Sequence, residues 1–285
     1  MNNLLKKIQA RRILISDGAW GTFLQRKGLS GTECPERWNI EHPVEVQAIA
    51  GAYIRAGADA VETNSFGGNR LSLARHGLAE RAVEINHAAA ALSRAAAGAG
   101  HFVLGSMGPT GVILMMGEVP EADLYAAFAE QAAALESGGA DAACLETFAD
   151  LDEAVVALRA VVENTTLTPI CTFTFERTQS GDYRTIMGTP PEEVVRTLLA
   201  SGAAIVGTNC GNGMRHMADI VTRMRAVSPE APILVHANAG LPRLQNGVLT
   251  YPETPADMAV QVPALIESGA NIIGEFDSLL IAEAP

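Results

Sequence analysis

A short phrase recurs at four places in this chain and constrains its fold more than any other feature. Ala56-Gly57-Ala58-Asp59 runs into Ala60-Val61-Glu62-Thr63-Asn64, and Gly138-Gly139-Ala140-Asp141 runs into Ala142-Ala143-Cys144-Leu145-Glu146-Thr147. Ser201-Gly202-Ala203-Ala204 leads into Ile205-Val206-Gly207-Thr208-Asn209-Cys210, and Ser268-Gly269-Ala270-Asn271 into Ile272-Ile273-Gly274-Glu275-Phe276-Asp277. Each copy reads as a helix end, a glycine cap that tolerates positive φ, and a short apolar run of the kind buried on both faces of a parallel sheet. Polar residues follow at each exit, and the last copy is broken there. A repeated helix-to-strand unit with its chemistry at strand exits is the signature of an α/β barrel.

The remaining pattern fits. Eight strands are predicted at Ile13–Ser16, Ala60–Thr63, Phe102–Gly105, Ala142–Glu146, Ile170–Phe175, Ile205–Thr208, Ile233–Ala237 and Ile272–Gly274. Helical patterns over Val44–Ala56, Glu80–Ala97, Glu121–Ser137, Leu151–Glu163, Pro191–Leu199, Met214–Val227 and Pro255–Glu267 separate them. Thr189-Pro190-Pro191-Glu192 and Thr254-Pro255 carry helix-start chemistry. No Ser-, Gly- or Pro-rich linker divides residues 1–285, so a single-domain (β/α)8 TIM barrel is expected. Only Phe276 to Pro285 follow the eighth strand, so its helix is expected to be short or absent. An uncovered seam exposes apolar surface, which predicts cover from another segment or a neighbouring subunit, hence a homo-oligomer.

Composition excludes several classes. The net charge of −12 argues against a nucleic-acid surface, which needs clustered Lys and Arg. The basic cluster of Lys6-Lys7 with Arg11-Arg12 is small and terminal, and reads as a solvated first helix. The four cysteines, Cys34, Cys144, Cys171 and Cys210, show no CxxC and no disulfide framework. The apolar run Ile13-Leu14-Ile15 is too short for a signal peptide or membrane span, so no membrane partner and a cytoplasmic setting are expected.

Active sites of such barrels lie at the carboxyl ends of the strands. Those exits hold Asp17, Glu62-Thr63-Asn64, Ser106, Glu146-Thr147, Cys210, His236 with Asn238, and Glu275 to Asp277. The set is acidic, amide-rich and holds one thiol. GxGxxG, P-loop and GxSxG patterns are missing, so dinucleotide and hydrolase readings gain no support.

The motifs at these exits resemble those of one family, in its order. Ser16-Asp17-Gly18-Ala19-Trp20-Gly21-Thr22 is similar to its opening DGAxGT, Glu62-Thr63-Asn64-Ser65-Phe66-Gly67 to its TNTF, and Gly105-Ser106-Met107-Gly108-Pro109-Thr110-Gly111 to its GxxGPxG. Glu146-Thr147-Phe148, Gly207-Thr208-Asn209-Cys210 and Asn238-Ala239-Gly240-Leu241-Pro242 follow. The chain thus resembles the homocysteine S-methyltransferase family, which includes betaine–homocysteine methyltransferase and the homocysteine-binding barrel of cobalamin-dependent methionine synthase. The resemblance extends to Gly274.

The resemblance implies a methyltransferase moving a methyl group to or from a small thiol or amino compound. Asp17 and Glu146 match positions holding the substrate amino group, the backbone of Gly18 and Ala19 would meet its carboxylate, and Thr63, Asn64 and Asn238 would supply neutral hydrogen bonds. Strand-end capping is the equal alternative for those last three. Cys210 and Glu146 are the expected catalytic pair. The resemblance also implies zinc, bound by three cysteines and holding the substrate thiol as thiolate. Cys210 matches the first of these. The other two form an adjacent pair after the eighth strand, where Phe276 and Asp277 stand, while Glu275 replaces a glycine.

Three readings stay open. Cys210, His236 and Asp277 offer S, N and O ligands for a rebuilt metal site, since alternation puts Leu234, His236 and Asn238 on one face. The protein is otherwise a zinc-free relative acting with a corrinoid protein, with Phe276 packing against a methylammonium group. The third reading is a ligand-binding barrel without catalysis. Folate or corrinoid would come through a separate partner. Met115-Met116 reads as an apolar lid or as gap filling, and Trp38 as packing over the barrel mouth.

Overall fold

The computed structural model describes residues 3–10, 13–112, 114–117, 119–240, 243–245, 248–250 and 252–275. Eight parallel strands make one sheet: β1 Leu14–Ile15, β2 Ala60–Glu62, β3 Phe102–Met107, β4 Ala142–Phe148, β5 Thr168–Phe173, β6 Ile205–Gly213, β7 Ile233–Asn238 and β8 Ile272–Glu275. Neighbours run β1-β8-β7-β6-β5-β4-β3-β2, and a parallel bridge from Ser16 to Ala60 brings the two ends of the sheet together into a barrel. Helices α1 Pro43–Arg55, α2 Ala82–Ala97, α3 Glu121–Ser137, α4 Leu151–Asn164, α5 Pro191–Ala200, α6 Met214–Val227 and α7 Val262–Ser268 surround it. None of the described helices is long and apolar enough to cross a membrane.

The recurring phrase is a structural unit. Gly57, Gly139, Gly202 and Gly269 all take φ between 100° and 109°. The next N–H reaches back to the helix in each copy: Ala58 to Tyr53 O (3.1 Å), Ala140 to Leu135 O (3.1 Å), Ala203 to Leu198 O (3.0 Å) and Ala270 to Leu265 O (3.0 Å). This is the Schellman end, which satisfies carbonyls the helix leaves open. The residue after it ties neighbouring strands. Asp59 Oδ2 accepts from Ile15 N, Asp141 Oδ2 from Val103 N, and Asn271 Oδ1 from Ile233 N. Ala204 breaks the series because alanine has no acceptor to offer.

Strand alternation sorts the side chains. Val61, Val103, Leu145, Cys171, Val206, Val235 and Ile273 pack outward against the helices. Leu14, Ala60, Leu104, Ala142, Cys144, Ile170, Ile205, Leu234 and Ile272 fill the barrel, closed below by Leu4 and Ile8 of the N-terminal helix Asn3–Gln9.

Several element boundaries differ from expectation. β6 extends to Gly213 through an irregular exit, and β3 and β4 run two residues further. The segment expected as one helix over Pro255–Glu267 is split into Pro255–Ala259 and α7, because Pro263 cannot donate within a continuous helix but fits a new first turn. Trp38 packs in a cluster with Leu24, Val46 and Ile49 and does not itself line the strand-exit cavity. Met116 is exposed in a short 3-10 turn. The expectation of a short or absent eighth helix concerns residues 276–285, which lie outside the described residues. Ile15 on β1 is 43% exposed beside a cavity of about 290 Å³ that α1 and the Pro255–Ser268 segment flank.

Candidate active site

Two residues beyond the apolar floor, alternation brings a second inward ring: Ser16, Glu62, Ser106, Glu146, Thr172, Gly207, His236 and Gly274. The barrel interior therefore switches from aliphatic to polar within one layer. Burying such groups is costly unless they are paired, so the ring must satisfy itself or a guest. It does so in part. Ser106 Oγ donates to Glu146 Oε1, and Thr172 Oγ1 donates to Asn209 Oδ1 at 2.7 Å. His236 Nδ1 lies 3.5 Å from Glu62 Oε1, but neither ring nitrogen of His236 and not Glu62 Oε1 makes a hydrogen bond. Gly274 gives the imidazole its place, since a Cβ there would lie 2.7 Å from His236 Cδ2 and from the Asp17 carbonyl.

Above the ring opens a cavity of about 240 Å³, lined by Gly18, Trp20, Glu36, Glu62, Thr63, Asn64, Phe66, Ser106 and Glu146, among others. Trp20 and Phe66 give it aromatic walls. Gly108 of the GSMGPTG segment is required by Phe66: a Cβ there would come within 2.6 Å of the ring. No Lys or Arg is among the lining residues, although Glu62 and Glu146 are. Burial, then the charges of Glu146 and Asp17, holds the Glu62 carboxyl well above the usual carboxylate range. Burial lowers His236 from 6.5 to about 4, so it stays neutral at physiological pH.

The expected residues are distributed unevenly. Glu146, Gly18, Thr63 and Asn64 line this cavity. The side chains of Thr63 and Asn64 are already engaged: Thr63 Oγ1 accepts from Ser106 N at 3.0 Å, and Asn64 Nδ2 donates to Pro35 O at 2.8 Å and Asn39 Oδ1 at 2.9 Å. Their capping alternative is therefore well supplied with contacts. Ala19 is buried, and its carbonyl accepts from Tyr53 Oη at 3.0 Å. Asn238 is buried with Oδ1 unbonded. Asp17 lines the neighbouring seam cavity. Its Oδ2 accepts from Glu62 N at 2.7 Å and Trp20 Nε1 at 2.9 Å, and its Oδ1 from Ser16 Oγ at 3.1 Å. Burial still outweighs these bonds and raises Asp17 from 3.8 to about 6.

Cys210 is half-buried at φ 57° and is not among the cavity-lining residues. Its neighbour Asn209 bridges two exits, accepting from Thr147 N at 2.9 Å and donating to Thr147 Oγ1 at 2.7 Å. Thr147, at φ 64°, and Cys210 are the two non-glycine residues with positive φ among the described residues. Asp277 and Phe276 lie outside the described residues.

The thiolate zinc set does not fit this chain. Phe276 and Asp277 stand where the resemblance places the cysteine pair, and Cys210 alone cannot make a tetrahedral thiolate site. Among the described residues, a different trio brings metal-ligand atoms within 4.8 Å of one another: Glu62, Cys144 and Glu146. Burial raises both the Cys144 thiol and the Glu62 carboxyl, so an ion would have to displace protons to bind there. From the sequence, Glu62 stands among the strand-exit residues without a role of its own, and Cys144 lies in an apolar run with no ligand role. The available signal was phase: both are in register with the inward apolar residues Ala60 and Ala142.

A parallel (β/α)8 barrel with an acid-lined cavity at its carboxyl-terminal strand ends belongs to the class of barrels that bind small molecules at that face. Comparison with known proteins narrows the class. The sequence profile described as Homocysteine S-methyltransferase matches residues 14–275. The methionine synthase of Mycobacterium tuberculosis is 31% identical over 291 residues, covering 95% of this chain and 24% of that protein. The Mycobacterium leprae methionine synthase is 30% identical, covering 93% and 23%. This chain thus spans about a quarter of the length of these relatives. Among solved structures, the metallated form of the Escherichia coli homocysteine methyltransferase MmuM superposes with a TM-score of 0.80 at 22% identity, covering 98% of this chain and 96% of that one. Its apo form gives 0.73. The chain belongs to the homocysteine S-methyltransferase family.

Proposed function

We propose that this barrel binds a small amino-acid thiol of the homocysteine type and presents its sulfur for methyl transfer. The observation that carries the reading is the cavity at the strand exits, where Glu62 and Glu146 face a space with no Lys or Arg on its wall among the described residues. A buried acidic wall of this kind recruits a cationic group, as an α-ammonium is. Trp20 and Phe66 offer apolar walls to the carbon chain and sulfur. Gly18 lines the same cavity, and its backbone with that of the adjoining Ala19 is the part assigned to the substrate carboxylate. No step is routed through zinc, because the thiolate set is incomplete. The methyl donor comes from outside the cavity, on a corrinoid or folate carrier that is another domain or a separate protein.

Phe276 and Asp277, which stand where the resemblance places the adjacent cysteine pair, favour a second reading, a barrel that binds its ligand without turnover. Calorimetric titration with homocysteine, followed by methylation assays with methylcobalamin, a methylfolate and betaine, separates the two. Binding with turnover supports the first reading, and binding without turnover supports the second. No binding of homocysteine refutes both in this form.

A further inference from the structure

Cys210 stands at φ 57°, where a side chain is unwelcome, and Gly211 after it takes φ 73°. The pairing of β6 with β7 shifts register between Asn209 and Gly213, so residues 210–212 stand outside the regular ladder. A left-handed non-glycine residue persists only where its surroundings hold it. Part of that hold comes from the chain leaving β5. Thr174 Oγ1 donates to Asn209 O at 3.0 Å, just before the irregular stretch, and Asn212 Nδ2 donates to Phe175 O at its end. Gly211 lies between them, and a Cβ there would stand 2.8 Å from Thr174 Cγ2.

Beyond Phe175 the same chain folds into a hairpin, Glu176–Arg177 against Tyr183–Arg184. Of these four residues only Tyr183 is buried, at 4% exposure. Its Oη lies 2.9 Å from His216 Nδ1 and 3.0 Å from Asp219 Oδ2, on side chains three residues apart in α6. One phenol proton cannot serve both. The carboxylate has none to give, so Tyr183 donates to Asp219 and accepts from His216 Nδ1–H. Burial, then the hydrogen bond to Asp219, raises the phenol above its ordinary value and keeps the proton on Tyr183. Arg223, one turn further along α6, pairs with Asp182 beside Tyr183 and with Glu192. Since α6 begins at Met214, directly after the irregular stretch, the hairpin is tied at its root and along its returning strand to the chain that carries Cys210. We propose that Tyr183 is a positioning residue for Cys210: through Asp219 and His216 it latches the hairpin onto α6, and the latched root holds residues 210–212 and keeps the thiol half-buried. Cys210 is the thiol expected to serve catalysis, so what fixes its backbone fixes where its sulfur can reach.

The test is iodoacetamide labelling of the intact chain at pH 8, with peptide mapping to give a rate for each cysteine. Tyr183→Phe removes the latching hydroxyl and is expected to raise the Cys210 rate about threefold or more while Cys34, Cys144 and Cys171 stay as slow as in the wild type, because one lost hydrogen bond opens the strap locally. Asp219→Ala should act alike. Asp219→Asn keeps an acceptor for the phenol and should stay nearer the wild type, and this pair carries the test should Tyr183→Phe label all four cysteines through loss of the fold. Tyr125→Phe is the matched control, since it removes a tyrosine–carboxylate bond of 2.7 Å, to Glu163, between α3 and α4. It should leave the Cys210 rate within about 1.5-fold of the wild type, as expected for a change that shares no partner with the strap. A Cys210 rate unmoved by both Tyr183→Phe and Asp219→Ala, or raised as much by Tyr125→Phe, overturns the assignment.

Discussion

Replacing Asn209 with alanine should damage the site from two strands away. The Asn209 side chain is fully buried and makes three hydrogen bonds: from Thr147 N at 2.9 Å, from Thr172 Oγ1 at 2.7 Å, and to Thr147 Oγ1 at 2.7 Å. At about 1 kcal/mol net for each bond, Asn209→Ala costs about 3 kcal/mol, and unpaired donors left inside add to this. The same amide holds Thr147 at φ 64°, next to Glu146, and precedes Cys210 at φ 57°. Each left-handed non-glycine residue carries a strain of about 1–2 kcal/mol that surrounding contacts must hold in place. Thr147→Gly in the Asn209→Ala background should therefore recover about 1 kcal/mol, because glycine takes positive φ without a Cβ clash. Urea unfolding measures both changes, with homocysteine affinity as a second readout of the Glu146 exit. A cost under about 1 kcal/mol for Asn209→Ala, or no recovery on adding Thr147→Gly, refutes the clamp.

Two further outcomes follow from the buried groups. The folded pKa of His236 is depressed to about 4, so its neutral state contributes stability above pH 6.5 that is lost as pH falls toward 4. Between pH 7 and 5 this amounts to about 2 kcal/mol, and His236→Gln should remove that part of the acid loss in denaturant titrations at the two pH values. Asp17, raised to about 6, acts in the opposite sense: its contribution is greatest at low pH and declines as pH rises from about 4 through 6, so it has to be subtracted with Asp17→Asn. Identical acid profiles for wild type and His236→Gln would contradict the buried, unpaired imidazole. Mild alkylation at pH 8 should mark Cys210 first, because Cys34, Cys144 and Cys171 are buried and their thiols are pushed up, that of Cys34 to about 12. Peptide mapping that found Cys144 labelled before Cys210 would reverse this order.

The sequence by itself determined the repeating unit and therefore the barrel. Gly57, Gly139, Gly202 and Gly269 mark Schellman ends because only backbone chemistry is at stake, and backbone chemistry is local. Strand alternation also carries real information about the site, since Glu62, Glu146 and His236 lie two residues beyond inward apolar partners. What the sequence left open was which of the strand-exit acids finds partners within the protein. Asp17 and Glu62 both stand at strand exits, and nothing local separates them. Only the closed barrel separates them, bringing the Glu62 N–H, the Trp20 indole and the Ser16 hydroxyl onto Asp17 while leaving Glu62 Oε1 without a hydrogen bond. The same holds for Asn209, whose partners are 62 and 37 residues away in the chain. Hydrogen bonds across such separations are set by how strands meet in space, and no periodicity in a single chain records them.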